Sequence, residues 1–583
     1  MPYLVFVAVI GLGLWRFLPR PPEGGDPHPY LQVGVRVPSL RRDQRRHLVG
    51  ALIATLVVVV AVIHFAAGVK TRLSTGMTGF DSTWYHGPFA AGFFQSGDTW
   101  GLHFIAPQFL AWFYPANGEI FHVVGMLAFD RDVLSPLLNL GWFGGCLVAC
   151  WCIGRPFGVA PWSLALGAVA LSVPALADQA GEARNDIVGI FFLLGAVAIS
   201  LNGEREWRSA AVAGLAAGLA AGTKLNFLLP AAVLVGGLAL IAPRGGRRAT
   251  FIAAALAALA GGGYWYLRNL VHSGNPLPWI HHLGPIDLPA PEQALGGREA
   301  HSVLGYLTDG GVWSDWFLPG LHGGLWILWP LLLAAAAAGL ILCLVRGTPA
   351  QRMAACVGLA SALAWLVAPT SASGPEGMPR GFESGLRYLA PALVLGLALL
   401  PTTPLVRQVL PSFDPHGGSK EGSDGKGWAL SCGLALVLVA VVTGYPVQRH
   451  YLESRYEDPS FTTPGLNAAF AWARDVGGSR IATTSTRQYP LFGTDLSNRV
   501  EYLGLERPHG GFEAPATCQQ YLQLLREGDY DYVVASRDRI ESGKPPYPPS
   551  ARWTEAAGGK PILREPPTVV FALQGPPKPS ACR

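Results

Sequence analysis

Charge is scarce in this sequence. Asp, Glu, Lys and Arg make up 14% of its 583 residues, where a soluble domain carries about 25%. So little charge cannot clothe a water-facing exterior of this size, which excludes a single soluble globule. Excess charge of one sign is missing too: 43 Lys and Arg against 38 Asp and Glu leave a net +5. That is too weak for a nucleic-acid binder. A Gly-rich phosphate loop, a dinucleotide fingerprint at a strand–helix turn and a nucleophile elbow are all missing, so nucleotide-driven chemistry has no visible site. Internal repeats are missing as well. What is present is 50% hydrophobic residues, with 72 Gly and 48 Pro. The apolar content excludes disorder. The bilayer is the natural solvent, and Gly and Pro suit closely packed, kinked membrane helices.

A spanning helix takes about 20 mainly apolar residues. Candidates lie at 48–66, 133–153, 158–177, 187–202, 208–222, 225–242, 249–267, 324–345, 352–368, 386–402 and 428–446. A further apolar stretch at 3–18 reads as a retained anchor rather than a cleaved signal, since no basic residue precedes it and no small-residue cleavage site follows. The expectation is a polytopic helical membrane protein with about 11–13 spans. The cluster Arg36, Arg41, Arg42, Arg45 and Arg46 places the start of the 48–66 span inside. Alternation then puts Arg155, Arg205, Arg208, Arg244, Arg247, Arg248, Arg346 and Arg352 inside as well, as the positive-inside rule requires. The segments 67–132, 178–186, 268–323 and 369–385 fall outside, and the Gly/Pro/Ser-rich loop 403–427 falls inside.

Three domains follow: 1–47, an anchor and basic segment; 48–446, the membrane domain; and 447–583, where ordinary charged composition returns outside the membrane. In the last, Thr463-Pro464 reads as the N-cap and first turn of a helix through Arg474. The runs 480–486, 530–535 and 568–573 read as strands, with a helix at 515–527, together a small α/β unit. Cys146, Cys150, Cys152, Cys343, Cys356 and Cys432 lie in apolar spans and pack as small hydrophobes. Cys518 and Cys582 are the pair in the outer domain and form a disulfide candidate.

Ionisable groups at membrane depth are costly and mark function. Lys224 lies in a tight turn, Arg268 ends one helix and Arg387 opens another, all on the outer side. Cations there run against the positive-inside bias, and a phosphate headgroup at the bilayer surface would give them a reason; simple snorkelling is the alternative. In the first outer loop, Asp81 could take a proton from an acceptor hydroxyl, supported by His86 and Glu119. Trp84, Tyr85, Phe89, Phe93 and Phe94 could form an interfacial helix or a wall for sugar rings. Asp186 opens a helix, where a plain N-terminal role competes with substrate binding. With Tyr85 and Tyr388, these complete the candidate site. His272, His281 and His282 share a Pro/Gly loop, but their spacing is not diagnostic of a metal, and none is assigned.

The strings GFDSTWYHGPFAAGFFQSG, FYPANGEIFHVVGML, GEARNDIVGIFFLLGA, GLAAGTKLNFLLP, YLRNLVHSGNPL and LRYLAPAL, in that order, resemble bacterial GT-C superfamily glycosyltransferases. These are the dolichyl-phosphate-mannose–protein-mannosyltransferase-like kind, related to the aminoarabinose transferase of lipid A. The resemblance covers about residues 48–400. It implies a multi-pass enzyme of the bacterial plasma membrane with its C-terminal domain outside. Such enzymes pass a sugar from a polyprenyl-phosphate-linked donor to an extracytoplasmic glycan, lipid or protein, usually with inversion. Asp81 falls at the acidic position of the family's first outer loop, and Asp186 at a second acidic position. Lys224, Arg268 and Arg387 fall where carrier phosphate would be held. Asp81 is followed by Ser82 rather than by the family's second acid. No cofactor is demanded, and a divalent metal is compatible but not required. A glycosyl phosphate brings its own leaving group, so one base and several cations suffice. Other readings are a transporter of lipid-linked sugars, which predicts inverted repeats, and a non-catalytic envelope scaffold.

Overall fold

The computed structural model describes residues 42–107, 109–204, 206–291, 301–410, 451–458, 461–540, 543–575, 577–578 and 582. The expected anchor at 3–18, the span 428–446 with Cys432, and most of the loop 403–427 lie outside these residues. Residues 50–583 form one compact unit. Of residues 1–49, only the opening of the helix Arg42–Thr75 is described.

Each of the ten expected spans that fall within the described residues is helical. Five helices are long and apolar enough to cross a membrane: Val49–Thr75, Ser135–Phe157, Arg244–Ser273, Trp329–Arg346 and Pro349–Val367. A sixth crossing is available if Phe382–Tyr388 and Ala390–Thr402, bent by 49°, count as one broken span. Ala160–Leu171, Asp186–Asn202 and Leu225–Ile241 are shorter apolar helices. The span expected at 158–177 is broken: Ala160–Leu171 ends before Pro174, which opens a separate short turn, Pro174–Ala177, because proline disfavours helix in the residue before it. The first helix runs to Thr75 rather than stopping at 66. Ala54, Ala61, Phe65 and Val69 turn inward, while Leu52, Leu56, Val60 and Ile63 are exposed. A helix apolar on every side belongs in lipid.

Small residues set the closest packing. Helices Trp207–Ala221 and Arg247–Ser273 approach so nearly that a Cβ on Gly218 would lie 2.1 Å from the Ala258 carbonyl oxygen, and one on Gly214 2.3 Å from that of Ala254. Without a hydrophobic force between helices in lipid, such backbone contact is what holds them. Asn117 bolts the same pair to the first loop. Its amide donates to the carbonyls of Leu219 (3.2 Å) and Gly261 (2.9 Å), and its oxygen accepts from Trp265 Nε1 (2.8 Å).

The C-terminal part contains the expected helix Pro464–Arg474, the capped helix Cys518–Gly528, and strands at Arg480–Thr483, Tyr532–Ala535 and Thr568–Ala572. Thr463 sits at the N-cap, but its side chain makes no capping hydrogen bond. Two sheet strands escaped the sequence reading, Arg499–Tyr502 and Lys560–Glu565. Both are edge strands, Lys560–Glu565 mostly exposed and Arg499–Tyr502 with Val500 as its one buried residue, so neither shows the apolar run that marks a buried strand. A hairpin at Leu505–Arg507 and Gly511–Glu513 and a helix at Pro549–Ala556 escaped it as well. Arg480–Thr483 pairs in parallel with Arg499–Tyr502 on one side and Tyr532–Ala535 on the other. Thr568–Ala572 then pairs antiparallel with Tyr532–Ala535 and Lys560–Glu565.

This sheet unit does not stand apart. Met77, Trp84, Tyr85, Phe89 and Phe93 share one buried core with Leu466, Phe470, Ile481 and Tyr489. Trp84, Tyr85, Phe89 and Phe93 are therefore core residues, not an interfacial belt. Backbone bonds run from Tyr456 to Thr75 (2.8 Å) and from Gln488 to Thr83 (2.9 Å).

Cys518 is bonded to Cys582, with Cα atoms 5.7 Å apart and 64 residues between them in sequence. Closing a loop of that length is worth about 4 kcal/mol of unfolded-state entropy. Cys582→Ser is expected to lower the melting temperature of the C-terminal region to that of the reduced protein, measured by thermal unfolding with and without dithiothreitol. Equal stability of the oxidised and reduced protein would contradict this.

Candidate active site

Four helix breaks deliver ionisable groups to the same end of the bundle. Asp81 follows the first helix and immediately precedes a five-residue π-helical turn, Ser82–His86, that runs directly into the helix Gly87–Ser96. Such turns recur at functional sites because they re-aim side chains. Asp186 opens Asp186–Asn202, Lys224 precedes the turn Leu225–Phe227, and Arg387 lies in the turn Leu386–Tyr388 at the bend.

These four meet. Arg387 forms an ion pair with Asp81, Lys224 Nζ lies 2.6 Å from Asp186 Oδ1, and Arg387 Nε stands 3.9 Å from Asp186 Oδ2. The Tyr388 ring lies under both cations, with Lys224 Nζ 5.0 Å and Arg387 Cζ 5.1 Å from its centroid. Asp186 therefore spends its side chain on Lys224, not on capping its helix. Burial alone would raise the Asp81 carboxyl. Arg387, then Arg184, His86 and Lys224 outweigh burial and hold it well below the usual carboxylate range. Tyr85 is buried and Tyr114 half-buried near Asp81, and desolvation pushes both phenols up, so they remain hydrogen-bond donors.

Arg268 does not join them. Its guanidinium is buried and donates to the carbonyls of Trp112 (2.6 Å) and Thr99 (3.4 Å), with Cζ 4.9 Å from the Trp265 ring. The expected convergence of three cations is thus corrected to two, because the folded-back first loop takes Arg268 for its own backbone.

Sequence reasoning missed Arg184, Tyr114 and Glu182 as site residues. Arg184 Nε is buried and carries no hydrogen bond. Arg184 lies in the same 182–186 patch as Asp186, which was the available signal. Glu182 is buried, accepts from Ser82 Oγ (2.6 Å) and Gly79 N (2.9 Å), and pairs with Arg72 Nε at 2.7 Å. Ser82, which replaces a second acid after Asp81, thus fastens the Asp81 turn to the 178–186 loop.

Behind Asp81, His86 Nδ1 pairs with Glu119 Oε1, and Asn185 Nδ2 donates to the same oxygen at 3.3 Å. His272 Nε2 lies 3.0 Å from the Trp100 carbonyl, and the exposed His282 pairs with Asp287. Among the described residues, no group of three or more His, Cys, Asp or Glu side chains is arranged to hold a metal ion.

Next to the polar cluster lies an apolar cavity of about 380 Å³, lined by Phe317, Trp329, Leu340, Trp365, Phe382 and Leu393 among others. One bent segment serves both: Phe382, Leu389 and Leu393 line the cavity, while Arg387 and Tyr388 belong to the cluster.

No protein-family model matches the chain, and no curated protein matches it. Two solved structures are similar over nearly their whole length. ArnT from Cupriavidus metallidurans in the apo state is 16% identical with a TM-score of 0.50, covering 89% of this chain and 97% of that one. The same protein bound to undecaprenyl phosphate is 15% identical with a TM-score of 0.51 and the same coverage. Likeness at this identity shows the fold alone: the chain has the fold of ArnT, with apolar membrane-span helices and a sheet-bearing C-terminal region.

Proposed function

We propose that this protein is a membrane glycosyltransferase that moves a sugar from a polyprenyl-phosphate-linked donor to an acceptor hydroxyl on the outer side of a bacterial plasma membrane. The observation that carries the reading is the juxtaposition on the 382–399 segment. Cations sit at its bend and an apolar cavity lies along its length, which matches a phosphate head joined to an isoprenoid tail. Two carboxylates against Lys224, Arg387 and Arg184 leave one positive charge in excess, which suits an anion.

The reaction is an in-line displacement. The acceptor oxygen bonds to the anomeric carbon from one face, the carbon–oxygen bond to phosphate breaks, and its electron pair leaves on the phosphate, which inverts the centre. Lys224 and Arg387 stabilise the charge that develops on that leaving group. Asp81 orients the acceptor hydroxyl and takes its proton. Arg268 holds the first loop rather than the phosphate. No nucleotide is needed, because the donor is already activated.

The test is transfer of label from radiolabelled undecaprenyl-phosphate-linked hexose or pentose, offered separately, to an envelope extract by the full chain in nanodiscs. Label is expected in the acceptor with release of undecaprenyl phosphate. Intact donor moved across the bilayer without cleavage would instead make the protein a transporter. Lys224→Met and Arg387→Met are each expected to weaken undecaprenyl phosphate binding about tenfold or more, as loss of a charge-assisted contact worth about 1.5–3 kcal/mol predicts. Binding unchanged in both would remove the cluster from phosphate recognition.

A further inference from the structure

Resting on the proposed transfer reaction, we infer that the C-terminal sheet carries the acceptor-recognition site, in which Arg487 and Arg539 take an anionic group of the acceptor, a phosphate or a carboxylate, beside the turn that holds Asp81. The sheet order supplies the place. Arg480–Thr483 lies between Arg499–Tyr502 and Tyr532–Ala535 and runs parallel to both. From its carboxyl end the chain turns to the Arg499–Tyr502 side, while from the carboxyl end of Tyr532–Ala535 it leaves toward Thr568–Ala572 on the other. Loops that part in this way leave a crevice at the carboxyl ends of parallel strands, which is where open α/β sheets bind ligands. Here the two loops are 484–488 and 536–540. Asp538 fastens them together: its Oδ1 accepts from Ser485 Oγ (2.8 Å) and Thr486 N (3.0 Å), and its Oδ2 accepts from Thr486 Oγ1. Thr484 Oγ1 adds a bond to the Ser536 carbonyl (3.1 Å).

This edge of the sheet lies on the Asp81 turn. Gln488 N donates to the Thr83 carbonyl (2.9 Å) and Arg487 Nη1 to the Thr78 carbonyl (3.2 Å), so the two contacts bracket Asp81 in sequence. The Arg487 guanidinium is held between two rings, with Cζ 5.5 Å from the centroid of Phe80 and 5.0 Å from that of Phe461. Phe80 immediately precedes Asp81 and is exposed. An acceptor gripped at this guanidinium therefore lies next to the base that must take its proton.

The charges there favour an anion. Among the described residues, the Thr78 carbonyl is the one hydrogen-bond partner of Arg487, and no carboxylate pairs with it. Arg539, next in sequence to Asp538, is exposed and has neither a hydrogen bond nor an ion pair among the described residues. Arg537, by contrast, is engaged by the Pro545 carbonyl (2.9 Å). The carboxylate between the two cations, Asp538, is occupied by the loop hydroxyls and amide. A planar guanidinium fixed by flanking rings, with Nε and Nη2 still to be satisfied, suits the paired oxygens of a carboxylate or phosphate. Docking the sheet onto the first loop does not require it, since the Asp132–Arg455 pair, the backbone bonds at Thr75 and Thr83 and the shared apolar core already do so.

The test is label transfer from radiolabelled undecaprenyl-phosphate-linked sugar to an envelope extract by the full chain in nanodiscs, with the products separated by anion exchange. Label is expected in the retained, anionic fraction. Prior treatment of the extract with aqueous hydrofluoric acid cleaves phosphate esters, and treatment with a carbodiimide and methylamine turns carboxylates into neutral amides. One of these arms is expected to abolish acceptance, and that arm names the anion. Arg487→Met and Arg539→Met are each expected to raise the apparent KM for the anionic fraction about tenfold or more, as loss of a charge-assisted contact predicts, with undecaprenyl phosphate affinity kept. Arg487→Lys should recover part of the loss. Label confined to neutral products, acceptance that survives both treatments, or an unchanged KM in both Met variants would each overturn the site while leaving the transferase reading intact. If Arg487→Met misfolds and loses undecaprenyl phosphate binding, Arg539→Met decides, and an unchanged KM there overturns the site. Absence of transfer by the unaltered protein would instead sink the transferase reading, and this site with it.

Discussion

Asp81→Asn is expected to slow transfer about 10²–10⁴-fold, the range for removing a positioned base, and at the same time to bind undecaprenyl phosphate more tightly. The second effect follows from the ion pairs. In the structure Arg387 is paired with Asp81, and Lys224 with Asp186. A phosphate reaching this cluster must compete with the carboxylates for the same cations. Neutralising Asp81 while keeping its shape frees Arg387 and removes a like charge from the phosphate's surroundings, which is worth a few-fold to tenfold in affinity. The same competition serves catalysis. When a phosphate draws Arg387 away, the group that holds Asp81 acidic weakens, and its carboxylate becomes a better base as the donor arrives. The measurement is turnover together with the dissociation constant in nanodiscs. Normal turnover, or weaker phosphate binding with turnover lost, would contradict the arrangement.

Asp132→Ala is expected to cost about 3–5 kcal/mol of stability, the range for leaving one partner of a buried ion pair uncompensated. Asp132 is fully buried at the end of the first loop. It pairs with Arg455, and its Oδ2 accepts from Tyr489 Oη (2.6 Å) and Tyr451 Oη (3.0 Å). Arg455 completes its set on the carbonyls of Gly493 (3.1 Å) and Thr494 (3.2 Å). One carboxylate thus ties the first loop to both the entry and the interior of the sheet-bearing part. Its removal strands a buried guanidinium and two phenols, one of which, Tyr489, lies in the core that also contains Tyr85. The predicted result is a lower melting temperature and early proteolytic cleavage between 451 and 500. Asp132→Asn keeps an acceptor oxygen and should lose less. A stable, protease-resistant Asp132→Ala would show that the shared apolar core alone docks the two parts.

Much of the candidate site was legible. Hydropathy placed the helices, alternation put Asp81, Asp186, Lys224 and Arg387 at one end of them, and the structure brings those four into direct contact. Arg268 looked equivalent to Lys224 and Arg387 by every local criterion, since each ends or opens a helix on the same side. What separates it is the path of the residues around Trp112, whose carbonyl takes its guanidinium. Sequence cannot give that path, because loop geometry is set by distant packing. Of the two readings of the aromatic run 84–94, the interfacial helix fails for a similar reason. Buried and interfacial aromatics have the same composition, and only the α/β unit lying over them makes them core. Ser82 read as a departure from the expected acidic pair, yet it fastens the Asp81 turn through Glu182, a hundred residues away.

By itself the sequence determined the solvent, the approximate helix boundaries, the return to water-soluble composition near 447 and the chemical types available at the membrane edge. These are properties of short segments, where transfer free energy and turn chemistry act locally. The tertiary structure decided which cation faces which carboxylate and that the C-terminal sheet shares a core with the first loop. Those depend on side chains far apart in the chain meeting at distances of a few ångströms, and short-range electrostatics and close packing respond only to that meeting.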